Sequence, residues 1–145
     1  MVVWFHGKKI LDYFLEDSKV SMLAFVRLEN TDENHNKFYE MAIVGANNNA
    51  LCDIKVRYGR ISTQGKTIYL HDPSFSGGEA KSVFKDEAVC AFLRQLKKKF
   101  KNKEYVLMGI TTNSEFESLK GEVENLQSEF ECFTKTAERL EDRGF

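Results

Sequence analysis

Between Arg57 and Thr67 the chain reads RYGRISTQGKT: three cations, a tyrosine and two glycines, with no acid, histidine or cysteine among them. Bond-breaking chemistry needs a proton carrier, or a nucleophile with its base, and Ser62 and Thr63 have no evident base close by. These residue types are suited to holding a ligand: guanidinium and ammonium groups donate to phosphate oxygens, and a flat ring stacks on sugar or base. Outside this stretch His6, His35 and His71 stand singly. Cys52, Cys90 and Cys132 are odd in number, far apart and unmatched by histidines at metal-ligand spacing, so reduced thiols are expected and a zinc site is not. Ser74–Ser82, SFSGGEAKS, carries two glycines but not the phosphate-loop spacing and reads as a flexible loop. No cofactor, metal or enzymatic activity is expected from these residues.

Charge supports holding rather than reacting. The net charge of −1 conceals a basic centre: residues 37–105 carry 13 Lys and Arg against 7 Asp and Glu, a balance of +6, with −2 before and −5 after them. Such asymmetry suits a polyanion partner bound at the centre and an acidic extension, or a solvated surface with clustered charge. At 42% hydrophobic and 30% charged residues with one proline, the 145-residue chain has the composition of one compact domain with a modest appendage. No apolar run approaches a membrane span, and the amino terminus places acids and lysines where a signal peptide has its apolar core. An intracellular location is expected, nuclear in a eukaryote, with no membrane partner.

The elements that must position these residues are read from periodicity. Val20–Glu29 and Lys37–Val44 are two apolar, β-branched runs around a polar turn over Asn30–Asn36, which predicts a hairpin. Gly45–Ala50 is the next turn. In Leu51–Ile61, Ile54, Val56 and Tyr58 alternate with Asp53, Lys55 and Arg57, the period of a strand with one buried face. Gly59 interrupts the alternation and predicts a bulge or a close approach, with Tyr58 and Arg60 facing different ways. Lys66–Leu70 returns as a fourth strand. Phe84, Ala88, Phe92, Leu96 and Phe100 then form the stripe of a long helix covering the sheet, with Asp86 and Glu87 at its start and lysines crowding its end. Phe116, Leu119, Val123, Leu126, Phe130, Phe133, Ala137 and Leu140 follow at alternating separations of 3 and 4, a heptad seam. That seam packs on the chain's own domain, or on a partner helix or a second copy. Trp4 and Phe5 are read as anchors of the amino-terminal segment on the sheet.

NKFYEMAIV, VRYGRISTQGK and FKDEAVCAFLRQLKKKFKNKEY, in that order and spacing, resemble the WGR domain, named for a Trp-Gly-Arg signature and found in DNA-dependent poly(ADP-ribose) polymerases. The resemblance spans roughly residues 20–105, and Lys99, Lys101 and Asn102 match its K-x-K-N-like element. It implies an α+β fold, a small antiparallel β-sheet meander with a long helix packed on it, flanked here by an amino-terminal extension (1–19) and an acidic carboxy-terminal helix (106–145). It also implies a non-catalytic domain that binds DNA near a broken end, with a ring stacked on the terminal sugar and an arginine that relays the bound state to neighbouring domains. Carried over residue by residue, Tyr58 occupies the signature tryptophan position, Gly59 and Arg60 match Gly-Arg, Arg57 the arginine that precedes them, and Asn36 with Lys37 the DNA-facing Asn-Lys. Lys66 completes the expected nucleic-acid-binding set from the residues themselves.

The expectation is a non-enzymatic module that binds nucleic acid, DNA ahead of RNA, at ends, nicks or gaps. Residues 116–140 would join it to a protein partner or homodimer as the accessory subunit of a larger assembly. The alternative is a scaffold whose WGR-like surface and terminal helix both contact proteins, without nucleic acid.

Overall fold

The computed structural model describes residues 4–5, 8–9, 13–15, 20–32, 35–45, 50–101 and 105–142, with side chains at 13–15, 20–30, 36–45, 50–101 and 105–130. The predicted α+β meander is present. β3 (Ser21–Asp32), β4 (His35–Gly45), β5 (Leu51–Arg60) and β6 (Lys66–Tyr69) run antiparallel in sequence order, after a small ribbon of β1 (Trp4–Phe5) and β2 (Lys8–Lys9). The hairpin reaches further than its apolar runs. Asn30 pairs with Lys37, Thr31 with Asn36 and Asp32 with His35, so the polar stretch read as a turn is mostly ladder, because backbone pairing does not require apolar side chains.

β7 (Val83–Phe84) pairs with the start of β5, and β8 (Val106–Thr112) closes the far side, giving the order β6-β5-β4-β3-β8. The segment expected to be a carboxy-terminal helix therefore begins with a strand. Its seven residues, VLMGITT, are β-prone, but the glycine and the heptad pattern that follows obscure them. Phe84, expected on the helix stripe, stands in β7 instead and is 58% exposed.

Alternation along the strands divides the sheet into two faces. On one, Val26, Leu28, Met41, Ile43, Ile54 and Val56 form the main core. α1 (Lys85–Lys101) lays Ala88, Ala91, Phe92, Leu96 and Phe100 into it. α2 (Glu117–Asp142), entered through a 3₁₀ turn that Asn113 caps by accepting from the Phe116 N–H at 3.2 Å, adds Leu119 and Val123 behind Phe116. Phe130 packs near Phe100 with ring centroids 6.3 Å apart. The first half of the heptad seam is thus committed to the chain's own domain, whereas the side chains of Phe133, Ala137 and Leu140 lie outside the described residues. On the opposite face Phe14, Phe25, Ala42 and Val44 make a smaller cluster, with Phe14 edge-on to Phe25 at 6.0 Å and its carbonyl accepting from Lys55 Nζ at 2.9 Å. Phe14 therefore anchors the amino-terminal segment; the side chains of Trp4 and Phe5 lie outside the described residues.

Candidate nucleic-acid interface

The register assembles the site. In β4 and β5 Lys37 stands opposite Arg60 and Tyr39 opposite Tyr58, and in β6 Lys66 stands opposite Tyr58. Directly opposed residues share a face, so Lys37, Tyr58, Arg60 and Lys66 lie on the α1 side of the sheet, at its end. All four are exposed, Tyr58 at 40%. The ladder from β4 to β5 passes Gly59 without a shift, so Tyr58 and Arg60 face the same way, not opposite ways. Gly59 serves the other reading of a strand glycine, close approach. A Cβ there would stand 2.9 Å from Gly65 Cα, and one on Gly65, at φ 71°, would stand 2.6 Å from the Tyr58 carbonyl oxygen and 2.7 Å from Phe38 Cζ. The Ile61–Gly65 loop thereby folds flat against the strand it has just left. Thr63 reinforces it, its N–H and hydroxyl both donating to the Arg60 carbonyl at 3.1 and 2.6 Å, while the Ile61 N–H donates to the Asn36 carbonyl at 2.8 Å.

Arg57 is placed differently from its expected neighbours. Alternation turns it to the opposite face, where it is fully buried. Its Nε donates to Glu40 Oε1 at 2.6 Å and its Nη1 to the Gln64 carbonyl at 2.7 Å, and its guanidinium lies between the Tyr13 and Phe38 rings at 4.2 and 4.5 Å. Glu40, also fully buried, accepts from Arg27 as well at 2.7 Å. In this position Arg57 reaches the binding face only through the loop it supports. Asn36 is exposed, and alternation from Lys37 directs it to the Arg57 side; its carbonyl accepts from Ile61 at the start of the loop.

A groove of about 280 Å³ runs from Tyr58 toward the end of α1. Tyr39, Val56 and Leu70 form its floor, Tyr58 and Ile68 one side, and Gln95, Lys99 and Tyr105 the other. Gln95 Nε2 donates to Tyr39 Oη at 3.0 Å, and burial pushes the Tyr39 phenol well above its ordinary pKa, so it stays neutral. The Lys99 ammonium lies 4.4 Å from the Tyr39 ring centre and 5.3 Å from that of Tyr105. The lysine-rich helix end thus meets the same face as Arg60. Asn102, matched to the family's K-x-K-N-like element, lies outside the described residues. Sequence reading passed over Glu40, Tyr39 and Gln95. The signals were present: an acid inside the apolar run FYEMAIV, a tyrosine two places from Lys37 and so on its face, and a glutamine one helical turn before Lys99.

The site is an aromatic and basic rim at one end of a small antiparallel sheet covered by a helix; no group of three metal-ligating side chains occurs among the described residues. The model of the WGR domain family matches residues 23–107, more than half of the chain, and the protein belongs to that family. Comparisons with curated proteins and with solved structures give no match. Among the described residues no helix is long and apolar enough to cross a membrane.

Proposed function

We propose that the protein is a non-enzymatic DNA-binding module that grips duplex DNA at an end, nick or gap and serves as an accessory subunit of a larger assembly. The observation that carries this function is the strand register that gathers Lys37, Tyr58, Arg60 and Lys66 on one exposed face. Arg60, Lys37 and Lys66 hold phosphates, Tyr58 offers its ring to the terminal sugar or base, and Asn36 borders the grip. Gly59 and the buried Arg57 set the loop that fixes their spacing. Family membership agrees with such a role, and a DNA ligand goes with an intracellular place of work, the nucleus if the source is eukaryotic. A gel-shift titration against blunt, nicked and closed circular DNA tests it. Binding that favours broken DNA and weakens with Arg60→Ala and Tyr58→Ala is expected; equal affinity of both variants and wild type for ends would remove the site.

A second function, docking of a protein partner, is favoured by Val106 and Met108, which are 52% and 56% exposed on β8, the outer strand of the sheet. Salt-insensitive association with a protein and no binding to DNA would select it.

A further inference from the structure

The groove beside Tyr58 is larger than stacking on a duplex terminus requires. Duplex phosphates engage the exposed cations, yet the space behind them continues inward between β6 and the end of α1. Its volume, about 280 Å³, lies below the ~300 Å³ at which sites for drug-sized ligands begin, so its occupant is small. Its surfaces are chosen for a planar one. The exposed Tyr58 and the half-buried Tyr105 present aromatic surface above the buried Tyr39, and Ile68, 38% exposed, closes the apolar side. Three polar side chains line the groove: His71, the Lys99 ammonium, held over the Tyr39 and Tyr105 rings, and the Gln95 amide, which spends one hydrogen on Tyr39 Oη and keeps its Oε1 acceptor for a ligand edge.

We infer that this groove receives one unpaired nucleobase from the end of the bound DNA, so that the preferred ligand is a duplex with a short single-stranded overhang. The inference rests on the DNA grip proposed above. It is favoured over an apolar peptide side chain because the groove is continuous, through Tyr58, with the cations that hold phosphate, and because Lys99 adds positive charge at its inner side. A base on the overhang then stacks on Tyr58 and Tyr105 and offers its edge to Gln95, while the phosphate joining it to the duplex stays beside Arg60 and Lys66. Every base has a flat face, so overhang sequence matters less than overhang presence.

The experiment compares a blunt duplex with duplexes bearing a single 3′ or 5′ overhanging nucleotide, with 2-aminopurine as the terminal base in each. One overhang is expected to bind roughly tenfold tighter than the blunt end, the effect of one stacked base, with a change in 2-aminopurine emission on binding. Tyr105→Leu removes an aromatic surface while keeping bulk, and the exposed Ile68→Ala opens the opposite side should the first variant fold poorly. Each is expected to abolish the preference and the emission change while leaving affinity for the blunt duplex and its salt dependence intact. Equal affinity for blunt and overhanging ends with unchanged emission, alongside salt-sensitive duplex binding, overturns the groove's role and spares the grip. Absence of any salt-sensitive DNA binding overturns both.

Discussion

Glu40 decides more than its size suggests. It is fully buried and receives Arg57 at 2.6 Å and Arg27 at 2.7 Å, so replacing it by alanine takes the carboxylate from the fully buried Arg57, while Arg27 keeps Glu29 at 2.8 Å. Breaking a buried pair in this way costs about 3–5 kcal/mol, and Glu40→Ala is expected to lower the unfolding free energy by that amount, read as a lower urea midpoint at unchanged slope. Glu40→Gln, which keeps the shape and the acceptor oxygen, should cost less. Gly65 is the second such residue. At φ 71°, with the Tyr58 carbonyl and the Phe38 ring against its Cα, Gly65→Ala adds strain of about 1–3 kcal/mol or expels the loop. Thermal unfolding together with gel shifts separates these outcomes, since an expelled loop weakens DNA binding beyond the loss of stability. The sequence showed two glycines around a turn but not which contact each one permits, because their partners come from the facing strand and from the turn itself.

Among the elements, the loop between β6 and α1 depends on one carboxylate. Burial alone would raise the Asp72 carboxyl, but hydrogen bonds from the Ser74 N–H at 2.9 Å and from Arg94 of α1 at 2.8 Å outweigh it and hold it at about 2, from an ordinary 3.8. A carboxyl whose pKa is lowered in the folded state contributes stability that is complete above about pH 4 and is lost as pH falls toward 2. Asp72→Asn should therefore destabilise at neutral pH and flatten the acid limb of a stability profile over that window. β8 and α2 are a further case of dependence between elements. Ending the chain after Tyr105 strips β3 of a neighbour and removes Phe116, Leu119 and Val123 from the core, so loss of cooperative unfolding is expected; ending it after Phe130 should leave a cooperative transition. Periodicity announced the helices and four of the strands because their apolar residues recur over several turns or pleats. β8 escaped because only its pairing with β3, from far along the chain, makes its seven residues a strand.

For the whole molecule, the uneven charge becomes a measurable slope. With Lys37, Arg60 and Lys66 on phosphates, log affinity for duplex DNA should fall with log salt at about −0.9 per phosphate engaged, and Arg60→Ala should reduce the slope by about 1. Titrations at several salt concentrations read both values. The residue types of this surface are legible in the sequence: the ring, the glycine and the cations stand in RYGR, in NK and at Lys66. Which of them share a face was not. The glycine suggested a break that the ladder does not make, and Arg57, charged and next to the signature, carries no mark that distinguishes a buried guanidinium from an exposed one until Glu40 is found opposite it in the register.

The placement of β8 beside β3 also has a consequence for synthesis. As the chain leaves the ribosome, the hairpin keeps a bare flank until Thr112 has appeared, since no strand among the described residues between them fills that position. From Gly45 to Thr112 the nascent protein thus carries an unzipped border, the interval when pairing with a stranger is most dangerous, and a chaperone's shelter has its greatest value there.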